Sequence, residues 1–224
     1  MQNGIDIFGK ALLDYYNGNE EACLKVHSSG AEVYDMPVSV FYRSAEHFVI
    51  DRIALSLCSD KVLDVGAGAG IHTLYLQNKG VEVTALEVSE KACSVMSNYG
   101  IRNIIKEDIF QLQSHSEYDT WLILGRSIGV VGSLERFSEL LLKAKMSLTA
   151  NGKVILNSSN GEKSQPVIRK LQFEYQGKLG KVVEWLDIDQ ETLVRVAVKA
   201  GFDAEIVHVE DDGNYLAVLR RTDL

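Results

Sequence analysis

Short apolar runs alternate with helical segments through the middle of the 224-residue chain. Between positions 61 and 157, β-branched runs are separated by stretches in which apolar residues recur every three or four positions, the period of a helix face. Such alternation predicts parallel strands joined by crossover helices on both faces of the sheet. The predicted strands are 61–65, 81–86, 103–106, 120–124 and 153–157, and the predicted helices are 71–79, 89–99 and one that begins after Ser133.

The pattern changes after position 160. Two short runs flank glycines and predict a β-hairpin insertion at about 171–187. Helical spacing returns at about 190–200, and two further strands, 204–209 and 215–220, are separated by turn residues. The chain is therefore predicted to be an α/β protein that ends in an antiparallel strand.

The first sixty residues have helical spacing at both ends and an irregular, aromatic-rich stretch at 27–42 between them. Ser44 is the expected N-cap of the second helix, because serine oxygens accept from free N–H groups at helix starts. This segment precedes the first strand of the alternating region. Residues 1–60 are therefore expected to form a helical cover over residues 61–224, which carry the binding site.

The first strand of the alternating region runs into a glycine-rich turn. Asp64 lies in that strand, and glycines follow at positions 66, 68 and 70. Glycine lets the backbone turn sharply and approach a ligand closely, and the next helix begins with free N–H groups. A dinucleotide-binding turn requires glycine at position 71, where this chain has Ile71. The turn is typical of a nucleotide site that holds no pyrophosphate, and the alternative is a turn without a ligand.

Two further acids follow the next two predicted strands. Glu87 ends the strand at 81–86, where a carboxylate can accept hydrogen bonds from ribose hydroxyls. Asp108 follows the strand at 103–106. One such acid is most often a solvated loop carboxylate. Three acids in or directly after successive parallel strands indicate a single site at one edge of the sheet.

These residues resemble the first motif and the following acids of the class I S-adenosylmethionine-dependent methyltransferases. The resemblance implies a Rossmann-like, seven-stranded, mostly parallel sheet with an antiparallel last strand, and S-adenosylmethionine as cofactor. In that family the glycine turn lies beneath the methionine and ribose, and an acid after the third strand takes the adenine amino group. The cofactor-binding residues implied here are Asp64, Gly66, Ala67, Gly68, Glu87, Val88, Asp108, Ile109 and Gly125.

The reaction implied by the resemblance is methyl transfer to an oxygen or nitrogen of a small molecule. One alternative is a non-catalytic domain that keeps the fold and binds S-adenosylmethionine. Another is an NAD(P)-dependent oxidoreductase, which Ile71 and the lack of an evident Tyr-x-x-x-Lys constellation oppose. The oligomeric state and the methyl acceptor do not follow from the sequence.

The composition of the chain indicates which class of substrate the protein binds and where in the cell it is expected. Lys and Arg number 23 against 31 Asp and Glu, a formal charge of −8, which argues against a nucleic acid substrate. No apolar run approaches the ~20 residues of a membrane span, and no secretory signal is visible. The three cysteines are widely spaced, as expected of reduced thiols, and the five histidines lack the spacing of metal ligands. A cytoplasmic protein without a metal is expected.

No catalytic residue is assigned by the sequence, but three candidates are named. His27 is either a general base or a structural histidine. Tyr42 either faces the sulfonium of the cofactor or packs under the first helices. Arg126 either pairs with a substrate carboxylate or phosphate, or bonds a loop carbonyl or a structural acid. Trp185, in the predicted hairpin, either shapes a substrate pocket or stabilises the hairpin.

Overall fold

A computed structural model describes residues 2–113, 118–160 and 165–222, with six α-helices and two sheets in that part of the chain. The helices are α1 (Gln2–Tyr16), α2 (Val49–Ser56), α3 (Ile71–Asn78), α4 (Glu90–Asn98), α5 (Leu134–Ser147) and α6 (Gln190–Lys199). The strands are β1 (Cys23–Ser28), β2 (Tyr34–Pro37), β3 (Lys61–Val65), β4 (Glu82–Glu87), β5 (Ile104–Lys106), β6 (Tyr118–Ile123), β7 (Leu148–Ser159), β8 (Val167–Tyr175), β9 (Lys178–Leu179), β10 (Val183–Asp187), β11 (Phe202–Val209) and β12 (Asn214–Arg221). Single 3₁₀ segments cover Val38–Tyr42 and Ser127–Val131.

The main sheet has seven strands in the order β11-β12-β7-β6-β3-β4-β5. Strands β3 to β7 pair in parallel, whereas β12 runs antiparallel to both of its neighbours. The predicted Rossmann-like sheet, mostly parallel with an antiparallel last strand, is confirmed. The carboxyl ends of β3, β4, β5 and β6 therefore meet at one edge, the edge at which open α/β sheets bind ligands.

Apolar side chains fill both faces of this sheet. Adjacent residues of β6 enter different clusters: Trp121 packs with Phe137 of α5, and Leu122 packs with Ile50 of α2. Successive strand side chains point to opposite faces, so a central strand covered on both sides is apolar at every position. This explains the continuous apolar run at 121–124, which begins in the second half of β6.

A second, antiparallel sheet has the order β10-β8-β1-β2, with β9 paired to β8. Its strands come from two distant parts of the chain, because β1 and β2 precede the main sheet and β8 to β10 follow β7. The hairpin region at 171–187 thus joins the first forty residues in one sheet.

The expectation of an irregular stretch at 27–42 is wrong. Its first two residues end β1, and β2 and a 3₁₀ segment follow. The four residues of β2 are mostly exposed, so they carry no local apolar pattern, and the second partner of β1 is β8, from a distant part of the chain. The first sixty residues therefore contain strands as well as helices.

The expected cap of α2 is also wrong. The N-cap of α2 is Phe48, without a side-chain hydrogen bond. Ser44 instead accepts from the Glu46 N–H at 3.3 Å, in the turn before the helix. By contrast, the predicted caps Ser89 and Ser133 are confirmed, since their side chains accept from Ala92 and Arg136.

Helix α1 lies directly against the start of α4. A Cβ added at Gly9 of α1 would stand 2.0 Å from the Ser89 Oγ, so only glycine fits this contact. Leu12 of α1 shares a buried cluster with Leu24 of β1 and Ala69 of the glycine turn. Residues of α1, β1 and β8 thus pack together with the turn between β3 and α3.

The three cysteines are free thiols, as expected. Burial raises the pKa of Cys58 to about 12 and that of Cys93 to about 11, so both thiols are protonated at neutral pH. Within the residues described, none of the helices combines the length and apolar character that a membrane-spanning segment requires.

Candidate active site

The turn between β3 and α3 has a left-handed backbone at each of its three glycines. The φ angles are 74° at Gly66, 57° at Gly68 and 82° at Gly70, values that disfavour residues with a Cβ. A Cβ on Gly70 would lie 2.5 Å from the Ile101 Cδ1, so this glycine is packed. A Cβ on Gly68 would meet nothing within 4 Å. The middle of the turn therefore faces open space.

Glu87, at the end of β4, is hydrogen-bonded to this turn. Its Oε2 accepts from the Gly68 N–H at 2.9 Å, and its Oε1 accepts from the Val88 and Ser89 N–H groups at 2.8 and 2.9 Å. The residue is 8% exposed, and burial raises the pKa of the carboxyl while these backbone hydrogen bonds oppose the rise. A carboxylate has about four acceptor positions, so one remains on Oε2 beside Gly68.

Asp64 lies under the turn. It is 2% exposed and accepts from the Thr73 Oγ1 at 2.6 Å, and from the Thr73 backbone N–H. Burial raises the pKa of Asp64, and the nearby His72 opposes the rise. These bonds fasten the first turn of α3 to β3. The structure thus places Asp64 where it positions the glycine turn.

Asp108 and Ile109 follow β5 at the same edge. Lys106 stands opposite Glu87 in the β4–β5 register, so Asp108 is two residues beyond the level of Glu87. Its Oδ1 accepts from the Phe110 N–H at 2.9 Å, which holds the loop. Ile109 is buried in the main cluster, and Val88 is partly exposed. Val88, Asp108 and Ile109 therefore lie at the same carboxyl edge of the sheet as Glu87.

The loop after β6 returns to the glycine turn. Gly125 and Arg126 both have left-handed backbones, with φ of 67° and 58°, and a Cβ on Gly125 would meet nothing within 4 Å. The Arg126 N–H donates to the Asn157 Oδ1 at 2.9 Å. Ser127 lies 3.4 Å from the Cβ position of Gly66. A left-handed backbone at a residue other than glycine, as at Arg126, costs about 1–3 kcal/mol. Residues in this conformation cluster at functional sites.

The Arg126 side chain bonds an acid from the second sheet. Arg126 donates an Nη2 hydrogen bond to the Asp187 Oδ1, and the Arg169 Nη2 forms an ion pair with the Asp187 Oδ2. Asp187 is 6% exposed, whereas the arginine side chains are 36% and 32% exposed. Sequence reasoning missed Arg169 and Asp187, because the β8–β10 pairing brings them near each other and only the packing of β10 against the segment after β6 brings them to Arg126.

His27 lies away from the glycine turn. Its Nε2 is 2.9 Å from the Glu174 Oε2 on β8. Strand alternation places it on the face of β1 opposite Leu24, the residue that packs with Ala69 of the turn. The structure does not bring this candidate to the carboxyl edge.

Tyr42 packs beneath α1. Its hydroxyl donates to the Leu12 carbonyl at 2.6 Å, and its ring stacks on Tyr15 at 4.6 Å. Burial raises the pKa of the hydroxyl, and neighbouring tyrosines, Tyr99 first among them, raise it further. Tyr42 also lines a cavity of about 270 Å³, together with α3 residues such as Leu74 and Tyr75. Because the hydroxyl is engaged and firmly protonated, it is a poor proton acceptor.

No cluster of three or more His, Cys, Asp or Glu side chains is arranged to hold a metal ion within 2–113, 118–160 and 165–222. His115, one of the five histidines, lies outside the described residues.

Residues 63–156 match the family model described as "Methyltransferase domain". A curated relative, the ubiquinone biosynthesis O-methyltransferase of Rickettsia felis, is 28% identical over 120 residues, which are 51% of this chain and 48% of the relative. The chain spans about half the length of the curated relatives it matches.

Solved structures match over longer stretches. A SAM-dependent methyltransferase from Bacteroides fragilis, in complex with S-adenosyl-L-homocysteine, is 28% identical with a TM-score of 0.92, and the match covers 100% of this chain and 98% of that one. The glycopeptide N-methyltransferase MtfA, complexed with S-adenosyl-L-methionine, is 18% identical with a TM-score of 0.62 and shares the fold over 82% of this chain and 96% of its own. Together with the glycine turn and the sheet order, the match of residues 63–156 to the methyltransferase domain model and the Bacteroides fragilis structure support a class I S-adenosylmethionine-dependent methyltransferase.

Proposed function

We propose that the protein transfers a methyl group from S-adenosylmethionine to an oxygen or nitrogen of a small molecule. The observation that carries this proposal is the contact between Glu87 and the Gly68 N–H, next to open space at the carboxyl edge of the sheet. Ligands of open α/β sheets bind at this edge. The net charge of −8 favours a small molecule over nucleic acid as the acceptor.

The residues at this edge fit the cofactor. Gly68 and Gly125 leave room for it, and the free acceptor position of Glu87 suits a ribose hydroxyl. By resemblance to the family, the other residues proposed to contact the cofactor are Gly66, Ala67, Val88, Asp108 and Ile109. Asp64 is proposed to position the glycine turn through its hydrogen bond from Thr73. When bound, S-adenosylmethionine supplies a methyl group activated by a sulfonium.

The contribution of the chain is alignment and exclusion of water. Holding two reactants in line can supply about 7–11 kcal/mol, so a dedicated base is not required. We propose that residues 1–60 act as a cover on a binding domain of residues 61–224, which carries the hairpin insertion at about 171–187. A cytoplasmic location stays a prediction from the sequence.

A non-catalytic domain that binds S-adenosylmethionine is the second candidate. His27 already pairs with Glu174, and the Tyr42 hydroxyl already donates to the Leu12 carbonyl. This favours the second candidate, because neither residue is then free to act as a catalytic base.

A thermal-shift titration with S-adenosylmethionine, S-adenosylhomocysteine and NAD tests the proposal. A ligand at 100 times its Kd stabilises the folded state by about 2.7 kcal/mol, and we expect this with the first two ligands only. Transfer of labelled methyl to a small-molecule panel then separates the candidates. Binding without any transfer supports the non-catalytic domain, and a shift with NAD alone contradicts both.

A further inference from the structure

We propose that Arg126 and Arg169 bind a carboxylate group of the methyl acceptor. The inference rests on the proposed function, because it concerns the substrate of the same site. It gives the acceptor a chemical class that neither the family nor the relatives specify.

The position of Arg126 is the first argument. It follows Gly125 at the carboxyl edge, and the Oγ of the next residue, Ser127, donates to the carbonyl of Val65, directly before the glycine turn, at 3.4 Å. Asn157, at the end of β7, holds the Arg126 backbone N–H. The guanidinium thus extends from the rim of the cofactor site towards the second sheet, where Arg169 and Asp187 meet it.

Charge is the second argument. Two guanidiniums share one carboxylate, that of Asp187, so the cluster keeps one net positive charge in a protein of net charge −8. The nearest further acid along the chain, Asp189, caps α6 by accepting from the Thr192 N–H, and a helix N-terminus offsets an acid there. An anion that joined the cluster would neutralise the remaining charge.

Unused hydrogen-bond donors are the third argument. Each guanidinium has five N–H groups arranged in a planar fork that matches carboxylates. The Nε atoms of Arg126 and Arg169 are buried, and neither has a hydrogen-bond partner among the residues described. About a third of each side chain is nevertheless exposed, so a ligand can reach the cluster.

The single net charge favours a carboxylate over a phosphate. A carboxylate carries one negative charge and balances the cluster, whereas a phosphate dianion leaves an excess negative charge beside Asp187. Trp185 stands opposite Arg169 in the β8–β10 register and lies against Gly129, where a Cβ would be 2.2 Å from its Nε1. The indole thus provides an apolar wall next to the charge, which suits an acid with an apolar or aromatic body.

Isothermal titration in the presence of saturating S-adenosylhomocysteine tests the inference. The probes are benzoate, phenylacetate and 3-phenylpropionate, each compared with its neutral amide, and phenyl phosphate. We expect at least one acid to bind about tenfold or more tightly than its amide, and more tightly than phenyl phosphate. Arg169→Gln should abolish the preference for the acid, and Arg169→Lys should retain part of it.

Arg220→Gln is the matched control, because Arg220 forms an exposed ion pair with Glu205 at 3.2 Å on the outer strands. It should leave the preference unchanged. A purely structural clamp predicts that Arg169→Gln lowers the melting temperature and leaves the acid-to-amide ratio at its wild-type value, which would overturn the inference. Equal binding of acids and amides by the wild type, or tighter binding of phenyl phosphate, would overturn it as well.

Titrating S-adenosylhomocysteine alone into the wild type and Arg169→Gln separates the two proposals. If the proposed function is right, the wild type binds S-adenosylhomocysteine. If the carboxylate site is right, Arg169→Gln binds S-adenosylhomocysteine as tightly as the wild type does. The acids are also titrated without S-adenosylhomocysteine, so a failure of cofactor binding is not mistaken for loss of the carboxylate site.

Discussion

Glu87 accepts a hydrogen bond from the Gly68 N–H at 2.9 Å, which ties the end of β4 to the middle of the glycine turn. The same carboxylate accepts from the first N–H groups before α4. One buried acid therefore fixes the relative position of two loops on the same edge of the sheet. The shape of the proposed cofactor site depends on this carboxylate.

Replacing Glu87 with glutamine keeps the size of the side chain and removes its charge. Hydrogen bonds to charged groups contribute about 1.5–3 kcal/mol, so S-adenosylhomocysteine should bind about 10- to 100-fold more weakly. Isothermal titration measures the change. Glu90→Gln is the control, since Glu90 is exposed and its pair with Lys106 spans 3.6 Å. Equal affinities for both variants would contradict the assigned role of Glu87.

Gly68→Ala and Gly80→Ala form a matched pair. Both glycines have positive φ, 57° and 84°, and a Cβ at either would meet nothing within 4 Å. Each variant should lose about 1–2 kcal/mol of stability from left-handed strain. Only Gly68→Ala should also bind S-adenosylhomocysteine at least about tenfold more weakly, because its methyl group enters the proposed site. Similar losses of affinity in both variants would show that strain alone is responsible.

Thr73→Val removes the hydroxyl that donates to the buried Asp64. Leaving a buried polar group without its partner costs about 1–3 kcal/mol, and urea unfolding should show this loss. Thr120→Val is the comparison, because Thr120 is fully buried and its Oγ1 has no hydrogen-bond partner among the residues described. That variant should be neutral or slightly stabilising. A neutral Thr73→Val would mean that Asp64 does not depend on this bond.

Asp51 should make stability depend on acid pH. Burial acts to raise its pKa, but His72 and Arg43, the latter at 2.6 Å, outweigh burial and lower it. A carboxyl group whose pKa is lower in the folded state than in the unfolded state stabilises the fold. This stabilisation is complete above the unfolded pKa of about 3.9, and it is lost as the pH falls below that value toward the folded pKa.

Asp51→Asn should therefore cost on the order of 2 kcal/mol at pH 7 and flatten the stability profile below about pH 4. Urea unfolding across that range measures both effects. The exposed Asp203, changed to asparagine, is the control and should leave the profile unaltered. A profile for Asp51→Asn parallel to that of the wild type would contradict the prediction.

The residue pattern by itself determined the main sheet and the glycine turn. Strands β3, β4 and β6 are recognisable because each contains an apolar run and precedes a helix with its own period, and β5 and β7 are recognisable from their apolar runs. Local chemistry also set the caps Ser89 and Ser133, and the positive φ of the turn requires Gly66, Gly68 and Gly70. All these features depend on residues near one another in the chain, which is why sequence reasoning reached them.

Tertiary structure alone decided the second sheet and what it carries. Strand β1 pairs with β8, and Arg126 meets Asp187 across 61 positions of sequence. No local period encodes such pairings, because they depend on how distant segments fold onto the main sheet. The position of His27 has the same cause: tertiary packing directs the Leu24 face of β1 toward Ala69 of the glycine turn, and His27 lies on the other face, next to Glu174.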